Sequence, residues 1–173
     1  VIIPCYNQGK YVDDAVDSIL KQTYENYEII IINDGSTDED TNVKLASYKR
    51  PKTKVYTTKN QGVTLARNYG FSLSKGSFIQ FLDADDFISP NKFEYQIKSF
   101  QTDSTLGVSY TSYRYFFEKD NDYKPPFHGL VIGPTPLDDF LYRWQRGLSI
   151  PMHCALFKRD VFNPVGPFVS GMK

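Results

Sequence analysis

The sequence has little of what would place it at a glance. Its 173 residues include only two cysteines, Cys5 and Cys154. They stand far apart, so the expectation is two free thiols in a reducing compartment rather than a disulfide framework. No stretch approaches the ~18 apolar residues of a membrane-crossing helix, and no signal-peptide pattern is visible. Net charge is absent, with 20 Lys and Arg against 20 Asp and Glu. That removes the broad basic field on which sequence-independent nucleic-acid binding depends. There are no internal repeats and no low-complexity tracts. The two histidines, His128 and His153, have no neighbours at zinc-ligand spacing and read as structural or exposed. An initiator Met is missing too. The chain opens on Val1 inside an apolar run, so residues 1–173 are expected to be one domain trimmed from something longer. The hydrophobic share of 40% argues against intrinsic disorder. The length suffices for a domain burying about 70% of its unfolded surface, and an aromatic share of 16% suits a well-filled core and a stacking site.

What is present has a rhythm. Val1-Ile2-Ile3 is a short apolar run that Pro4 is expected to close. Tyr11, Ala15 and Ile19, with Val12, Val16 and Leu20, form the double stripe of a helix packed on a sheet. Ile29 to Ile32 is apolar without interruption, as in a parallel strand covered on both faces. Asn33-Asp34-Gly35-Ser36 is turn chemistry, with Ser36 or Thr37 available to cap a helix. Residues 54–57 read as a third strand. Residues 62–74 read as a helix with Val63, Ala66, Tyr69 and Leu73 inward, and residues 77–82 as a buried fourth strand. Ser89-Pro90 opens a fourth helix with Phe93, Ile97 and Phe100 on its apolar side. Four strand–helix units predict an α/β fold: a doubly wound, mostly parallel sheet with right-handed crossovers and helices on both faces.

From Leu106 the character changes. Residues 108–117 are aromatic and strand-like, and residues 118–124 read as a solvated charged loop. Loops are expected around Pro125-Pro126 and Gly129 to Pro136. A short helix is expected from Thr135-Pro136 through Trp144, and a strand over residues 152–157. The division is therefore 1–105 and 106–173.

The densest chemistry is Asp83-Ala84-Asp85-Asp86 at the exit of the fourth strand. Carboxylates so placed repel one another and lose solvation unless a cation joins them. Mg²⁺ is usually held by one or two carboxylates together with substrate phosphates. The alternative is a polar turn, since Asp-rich turns are common. Pro4 to Asn7, Asn33 to Ser36 and Asp83 to Asp86 all fall at carboxyl ends of predicted strands, where doubly wound sheets bind ligands near a topological switch point.

With these residues in view, the chain resembles the family 2 glycosyltransferases of the GT-A fold. Val1-Ile2-Ile3-Pro4-Cys5-Tyr6-Asn7 resembles their opening strand and nucleotide loop. Ile32-Asn33-Asp34-Gly35-Ser36-Thr37-Asp38, Asn60-Gln61-Gly62 with Ala66-Arg67-Asn68-Tyr69-Gly70, and Phe81-Leu82-Asp83-Ala84-Asp85-Asp86 resemble the next three signatures. The resemblance is clear to about Pro90 and looser to Lys173. It implies a sugar moved, with inversion, from a nucleotide-diphosphate donor, a UDP-sugar by resemblance, to the hydroxyl of a glycan or lipid-linked acceptor in cell-surface polysaccharide or other glycan synthesis. It implies Mn²⁺ or Mg²⁺ on Asp85, with Asp83 on the ribose or, through water, the metal. Asp34 would accept from the uracil imide N–H, Tyr6 would stack on the ring, Pro4 would shape the nucleotide loop, and Asn7 and Ala84 would count among the residues that bind the nucleotide-sugar. Arg67 would approach the diphosphate or the base, or pair with a carboxylate, and Asp86 would serve the metal or cap the next segment. Residues 1–105 would hold the donor and 106–173 the acceptor, with His153 near the acceptor side. The general base is expected in an acidic motif after a turn like Val165-Gly166-Pro167-Phe168, beyond Lys173; Asp138 and Asp139 fit a helix start better. A cytoplasmic location is implied, with the inner face of the membrane as an alternative. Two other readings remain: a non-catalytic nucleotide-sugar-binding fragment, and a sugar nucleotidyltransferase. The latter needs a Gly-rich basic phosphate loop, and residues 4–10 supply one Gly and one Lys.

Overall fold

The computed structural model describes residues 1–125, 151–163 and 168. In the first part β1 (Ile2–Cys5), α1 (Val12–Leu20), β2 (Ile29–Asp34), α2 (Glu39–Ala46), β3 (Thr53–Thr58), α3 (Val63–Leu73), β4 (Phe78–Ile79) and α4 (Lys92–Thr102) alternate. Then come β5 (Val108–Tyr110), β6 (Tyr115–Phe117), β7 (Asp122–Lys124) and β8 (Ala155–Lys158). The expected loops at 125–136 and helix at 135–144, with Asp138, Asp139 and His128, lie outside the described residues apart from Pro125.

β1, β2 and β3 are parallel neighbours in that order. The fourth strand divides its pairing. Gln80 to Leu82 runs parallel to β1: Ile2 N donates to Gln80 O at 2.8 Å and Leu82 N to Ile2 O at 3.0 Å. β4, just before it, lies antiparallel to β8, which also pairs antiparallel with β5. The spatial order is therefore β3-β2-β1-β4-β8-β5, with only β8 reversed. Strand order turns back between β1 and the fourth strand, which makes that gap the switch point.

Alternation within β2 explains the two-sided cover. Ile29 and Ile31 pack with Val12, Ala15, Val16 and Ile19 of α1, while Ile30 and Ile32 pack with Ala66 of α3. All four isoleucines are buried, as an uninterrupted apolar strand requires. Phe81 is fully buried, with Phe157, Phe162 and Phe168 edge-on to it at centroid distances of 6.2, 6.1 and 5.1 Å. This cluster fastens the late segments to the fourth strand.

Several local expectations are corrected. β1 does not stop at Pro4 but runs through it to Cys5, with Pro4 opposite Ile32. Ile2 bonds the fourth strand, so by alternation Pro4 faces that side too, and its missing N–H costs β2 nothing. The α3 face is rotated: Val63 and Tyr69 are 49% and 40% exposed, while Ala66 and Gly70 are buried. The reason is closeness, because a Cβ on Gly70 would stand 2.4 Å from Ile2 Cγ2. Ser36 and Thr37 do not cap α2. Asp38 does, accepting from Thr41 N at 3.0 Å. α4 starts at Lys92 behind Asn91, and Ser89 contributes its carbonyl to Lys92 N. Residues 108–117 form two strands, and the charged stretch after them is the return strand of an exposed hairpin, β6 with β7. The segment before β8 is a 3₁₀ turn, Met152–Cys154. Both cysteines are free and buried.

A polar network crosses the α4–β8 seam. Lys92 Nζ donates to Gln80 Oε1 at 2.6 Å and Gln96 Oε1 at 2.5 Å. Gln96 Nε2 reaches Ser109 O at 2.6 Å and Cys154 O at 3.1 Å. Burial lowers the Lys92 ammonium to about 7.

Two outcomes follow. Gly70→Ala should cost about 1–3 kcal/mol by overpacking against Ile2, seen as a lower urea midpoint; an unchanged midpoint would show that Ile2 yields freely. For Lys92, the unfolded chain holds a proton between about pH 7 and 10.5 that the folded chain lacks, so its contribution to stability rises with pH in that window. Any stability advantage of Lys92→Met over the parent should therefore shrink by about 1.4 kcal/mol per pH unit from pH 7 upward. Parallel pH profiles for the two proteins would rule this out.

Candidate donor-binding cleft

The carboxyl ends of β1, β2 and the fourth strand, with the start of α3, surround a cleft of about 350 Å³. Pro4, Cys5, Tyr6 and Gln8 line it from the β1 loop, Asp34 from the end of β2, Val63 and Arg67 from α3, and Asp83 and Asp85 from the turn after the fourth strand. Six of the predicted residues (Pro4, Tyr6, Asp34, Arg67, Asp83 and Asp85) thus meet on one surface. Asn7 and Ala84 do not line it. A larger cavity of about 440 Å³ lies among Tyr24, Tyr27, Glu28 and Phe78, at the amino ends of the strands. It lacks the convergent carboxylates, so position and chemistry favour the smaller cleft.

Asp34 is 3% exposed. Its carboxylate accepts from Gln61 N at 3.0 Å and Gly62 N at 2.8 Å, with the Thr58 hydroxyl at 3.3 Å. It therefore organises the entry to α3. An ionised carboxylate has about four acceptor positions, so these bonds leave room for a further donor from the cleft. Gly35 follows at φ +63°, and a Cβ there would meet Asn60 N at 2.4 Å. Only glycine lets the two loops approach so closely.

Asn7, at φ 56°, is a tie between loops. Its Oδ1 accepts from Thr37 N at 2.8 Å and Asp38 N at 2.9 Å. Its Nδ2 donates to Thr37 Oγ1 at 3.0 Å, and its own N donates to Ser36 Oγ at 3.0 Å. That is where the serine and threonine expected to cap α2 are spent. Tyr6, next to this tie, is 43% exposed and lines the cleft. Burial pushes the Cys5 thiol up, which keeps it neutral and unreactive. Ala84 is fully buried in the α1-side core.

The Asp83–Asp86 turn is closed by Asp86 N donating to Asp83 O at 3.1 Å. Each carboxylate has a different surrounding. Asp83 Oδ1 takes a 2.5 Å ion pair from Arg67, the pairing that was one of the open readings for Arg67. Arg67 also lies over the Phe168 ring at 5.5 Å, and its buried Nε has no partner among the described residues. Asp86 pairs with His153 Nδ1 at 2.7 Å. Burial opposes protonation of that imidazole, but the Asp86 hydrogen bond and charge, with a contribution from Cys154, outweigh it and raise it to about 9. The Asp85 side chain makes no hydrogen bond or ion pair among the described residues and lines the cleft. Among the described residues no three Asp, Glu, His or Cys side chains converge as a metal-ligating group. Two carboxylates facing one cleft fit a cation that takes its remaining oxygens from phosphate and water.

Sequence reasoning missed the Asp86–His153 pair, and its only signal was the shared acidic and basic chemistry at distant positions. It also missed the anchoring of Phe168, whose N and O bond the Asn68 side chain at 3.1 and 2.8 Å.

A doubly wound sheet with a carboxylate-lined cleft at its switch point has the form of a nucleotide-binding α/β domain. The profile "Glycosyl transferase family 2" matches residues 1–166, and the chain belongs to that family. An uncharacterized glycosyltransferase of Rickettsia conorii is 38% identical over 133 residues, 77% of this chain and 22% of that protein. A chondroitin synthase of Pasteurella multocida is 38% identical over 115 residues, 66% of this chain and 12% of that protein. The chain thus spans a minor part of the relatives it matches. Among solved structures, S. aureus TarS 1-349 in complex with UDP-GlcNAc aligns at TM-score 0.63 and 20% identity, over 93% of this chain and 45% of that one. The mannosyltransferase PcManGT of Pyrobaculum calidifontis, in complex with GDP-Man and Mn²⁺, aligns at TM-score 0.68 and 19% identity, over 99% and 47%. The fold is GT-A. Among the described residues no helix is long and apolar enough to cross a membrane.

Asp34→Asn should leave at least one of the Gln61 and Gly62 amides without an acceptor, at a cost of about 1–3 kcal/mol. Hydrogen exchange should report both amides opening faster than in the parent; unchanged protection would show that Asp34 does not hold the α3 entry.

Proposed function

We propose that the chain carries the donor half of a glycosyltransferase site and moves a sugar from a nucleotide-diphosphate donor, a UDP-sugar, to an acceptor hydroxyl. The observation that carries this reading is the meeting of Tyr6, Asp34, Arg67, Asp83 and Asp85 on one cleft at the switch point. Tyr6 offers an aromatic face to the base. Asp34, acceptor-only and held by two backbone amides, takes the uracil imide N–H. Asp85, without a side-chain hydrogen bond or ion pair among the described residues, is the ligand for Mn²⁺ or Mg²⁺, and Asp83, steadied by Arg67, contributes its second oxygen directly or through water. When bound, the cation supplies positive charge opposite the diphosphate as it departs. The TarS complex with UDP-GlcNAc and the PcManGT complex with GDP-Man and Mn²⁺ support a nucleotide-sugar and a divalent ion.

The division of labour follows the chain. Residues 1–105 hold the donor, and residues 106–173 begin the acceptor side. Attack by the acceptor hydroxyl opposite the diphosphate would invert the anomeric centre, with a carboxylate as general base. The chondroitin synthase among the relatives supports a polysaccharide acceptor.

Calorimetry with UDP tests this reading. UDP should bind more tightly with Mn²⁺ than with chelator, and Asp85→Ala should remove at least about tenfold of affinity, ~1.4 kcal/mol. Equal affinity with and without chelator would eliminate the metal role, and no UDP binding at all would eliminate the donor.

A further inference from the structure

Three carboxylates in one short turn cannot all face the same cleft without mutual repulsion, and the fold separates them. Asp83 leans on Arg67 and Asp85 faces the cleft, while Asp86 turns away to His153 at 2.7 Å. His153 is itself fixed. Its carbonyl accepts from Gln80 Nε2 at 3.1 Å, and the next residue's N–H bonds Pro151 O at 2.9 Å. Gln80 is 1% exposed and belongs to the strand that ends in this turn. His153 is thus tied at its backbone to the Gln80 side chain, in the strand that leads into the acidic turn, and at its side chain to the turn's last residue.

We propose that His153 is a positioning residue of the donor site: by holding Asp86 away from the cleft, it sets the turn so that Asp83 and Asp85 present their carboxylates to the cation–diphosphate group. The imidazole touches neither the cleft nor, by this account, the ligand. It acts through Asp86, as partners behind ligating side chains do, orienting ligands and fixing local charge. Removing either partner of the pair unfastens the last residue of the turn, and the turn loses the rigidity that a preorganised site requires. The inference rests on the donor reading above and adds a residue from the second half of the chain to it.

The test measures UDP affinity by calorimetry with Mn²⁺ and with chelator in the parent, His153→Ala, Asp86→Ala and His153→Asn, with thermal unfolding alongside. The quantity read is the gain in affinity that Mn²⁺ brings. In His153→Ala and Asp86→Ala this gain should fall about 10- to 100-fold, while UDP affinity in chelator stays at the parent value. His153→Asn places an amide nitrogen near the position of Nδ1 and should keep most of the gain. A purely structural role would lower the unfolding temperature and leave the Mn²⁺ gain intact in the folded protein, and that result would overturn the inference. Should His153→Ala fail to fold, Asp86→Ala, on a partly exposed turn residue, decides the matter alone. Failure of His153→Asn to restore the gain would overturn the positioning account. A parent protein without Mn²⁺-dependent UDP binding would overturn the donor reading and this inference with it, whereas a parent that binds beside variants that match it overturns this inference only.

Discussion

Pro4 has no N–H to give to the carbonyl of Leu82, and the pairing of β1 with the fourth strand ends there. Above that level Ile2 bonds both Gln80 and Leu82; below it the two strands diverge, and the space between their ends becomes the cleft. β1 keeps its other partner through Cys5, opposite Asn33, so one side of the strand stays in the sheet while the other is released. A proline in a central strand is ordinarily excluded because it removes a ladder bond. Here the lost bond falls at the switch point of the strand order, where doubly wound sheets part in any case. The sheet supplies the walls, and the proline sets the height at which they open.

Most of the charged and amide groups around the cleft are held in place by other polar groups. Asp34 would be a costly buried carboxylate if it stood alone, but two amides at the mouth of α3 satisfy it, and in return it fixes where that helix begins. Asn7 ties the β1 loop to the β2 loop through four bonds. Arg67 and His153 each take one carboxylate from the acidic turn. The arrangement leaves one carboxylate of the turn, Asp85, without a side-chain partner among the described residues, while its neighbours Asp83 and Asp86 are paired. A site assembled this way requires little rearrangement when a charged ligand arrives, which is the advantage of preorganisation.

The strand–helix rhythm was readable because it rests on a local property. A strand covered on both faces must be apolar throughout, as Ile29 to Ile32 are, and a helix on a sheet must carry a stripe, as Val12 to Ile19 do. The three polar segments at strand ends were readable for the same reason, since each follows an apolar run. What the sequence hid was distance-dependent. The α3 face was misread because hydrophobicity pointed to Val63 and Tyr69, whereas the helix–sheet gap is set by Gly70, a residue without a side chain. Asp38 rather than Ser36 caps α2 because Ser36 and Thr37 are claimed by Asn7, some thirty positions earlier. His153 was invisible as a partner of Asp86, because nothing in either neighbourhood foretells a contact across 67 positions.

The fourth strand is where these long-range contacts gather, and it makes one unit of the two parts distinguished by composition. Its upper half bonds β1 and ends in the acidic turn; its lower half bonds β8, from the later part of the chain. Phe81 sits between Phe157, Phe162 and Phe168, and the buried side chain of Gln80 connects to Lys92 and to the carbonyl of His153. A fully buried phenylalanine and a fully satisfied glutamine, adjacent in sequence and on opposite faces, bind the same strand to the same later segment by two unlike forces. Apolar burial there is insensitive to geometry over tenths of an ångström, whereas the hydrogen bonds are not. The aromatic side therefore supplies attachment and the polar side supplies register. The residues that need register, Asp86 and His153, lie on the path from that polar side to the cleft.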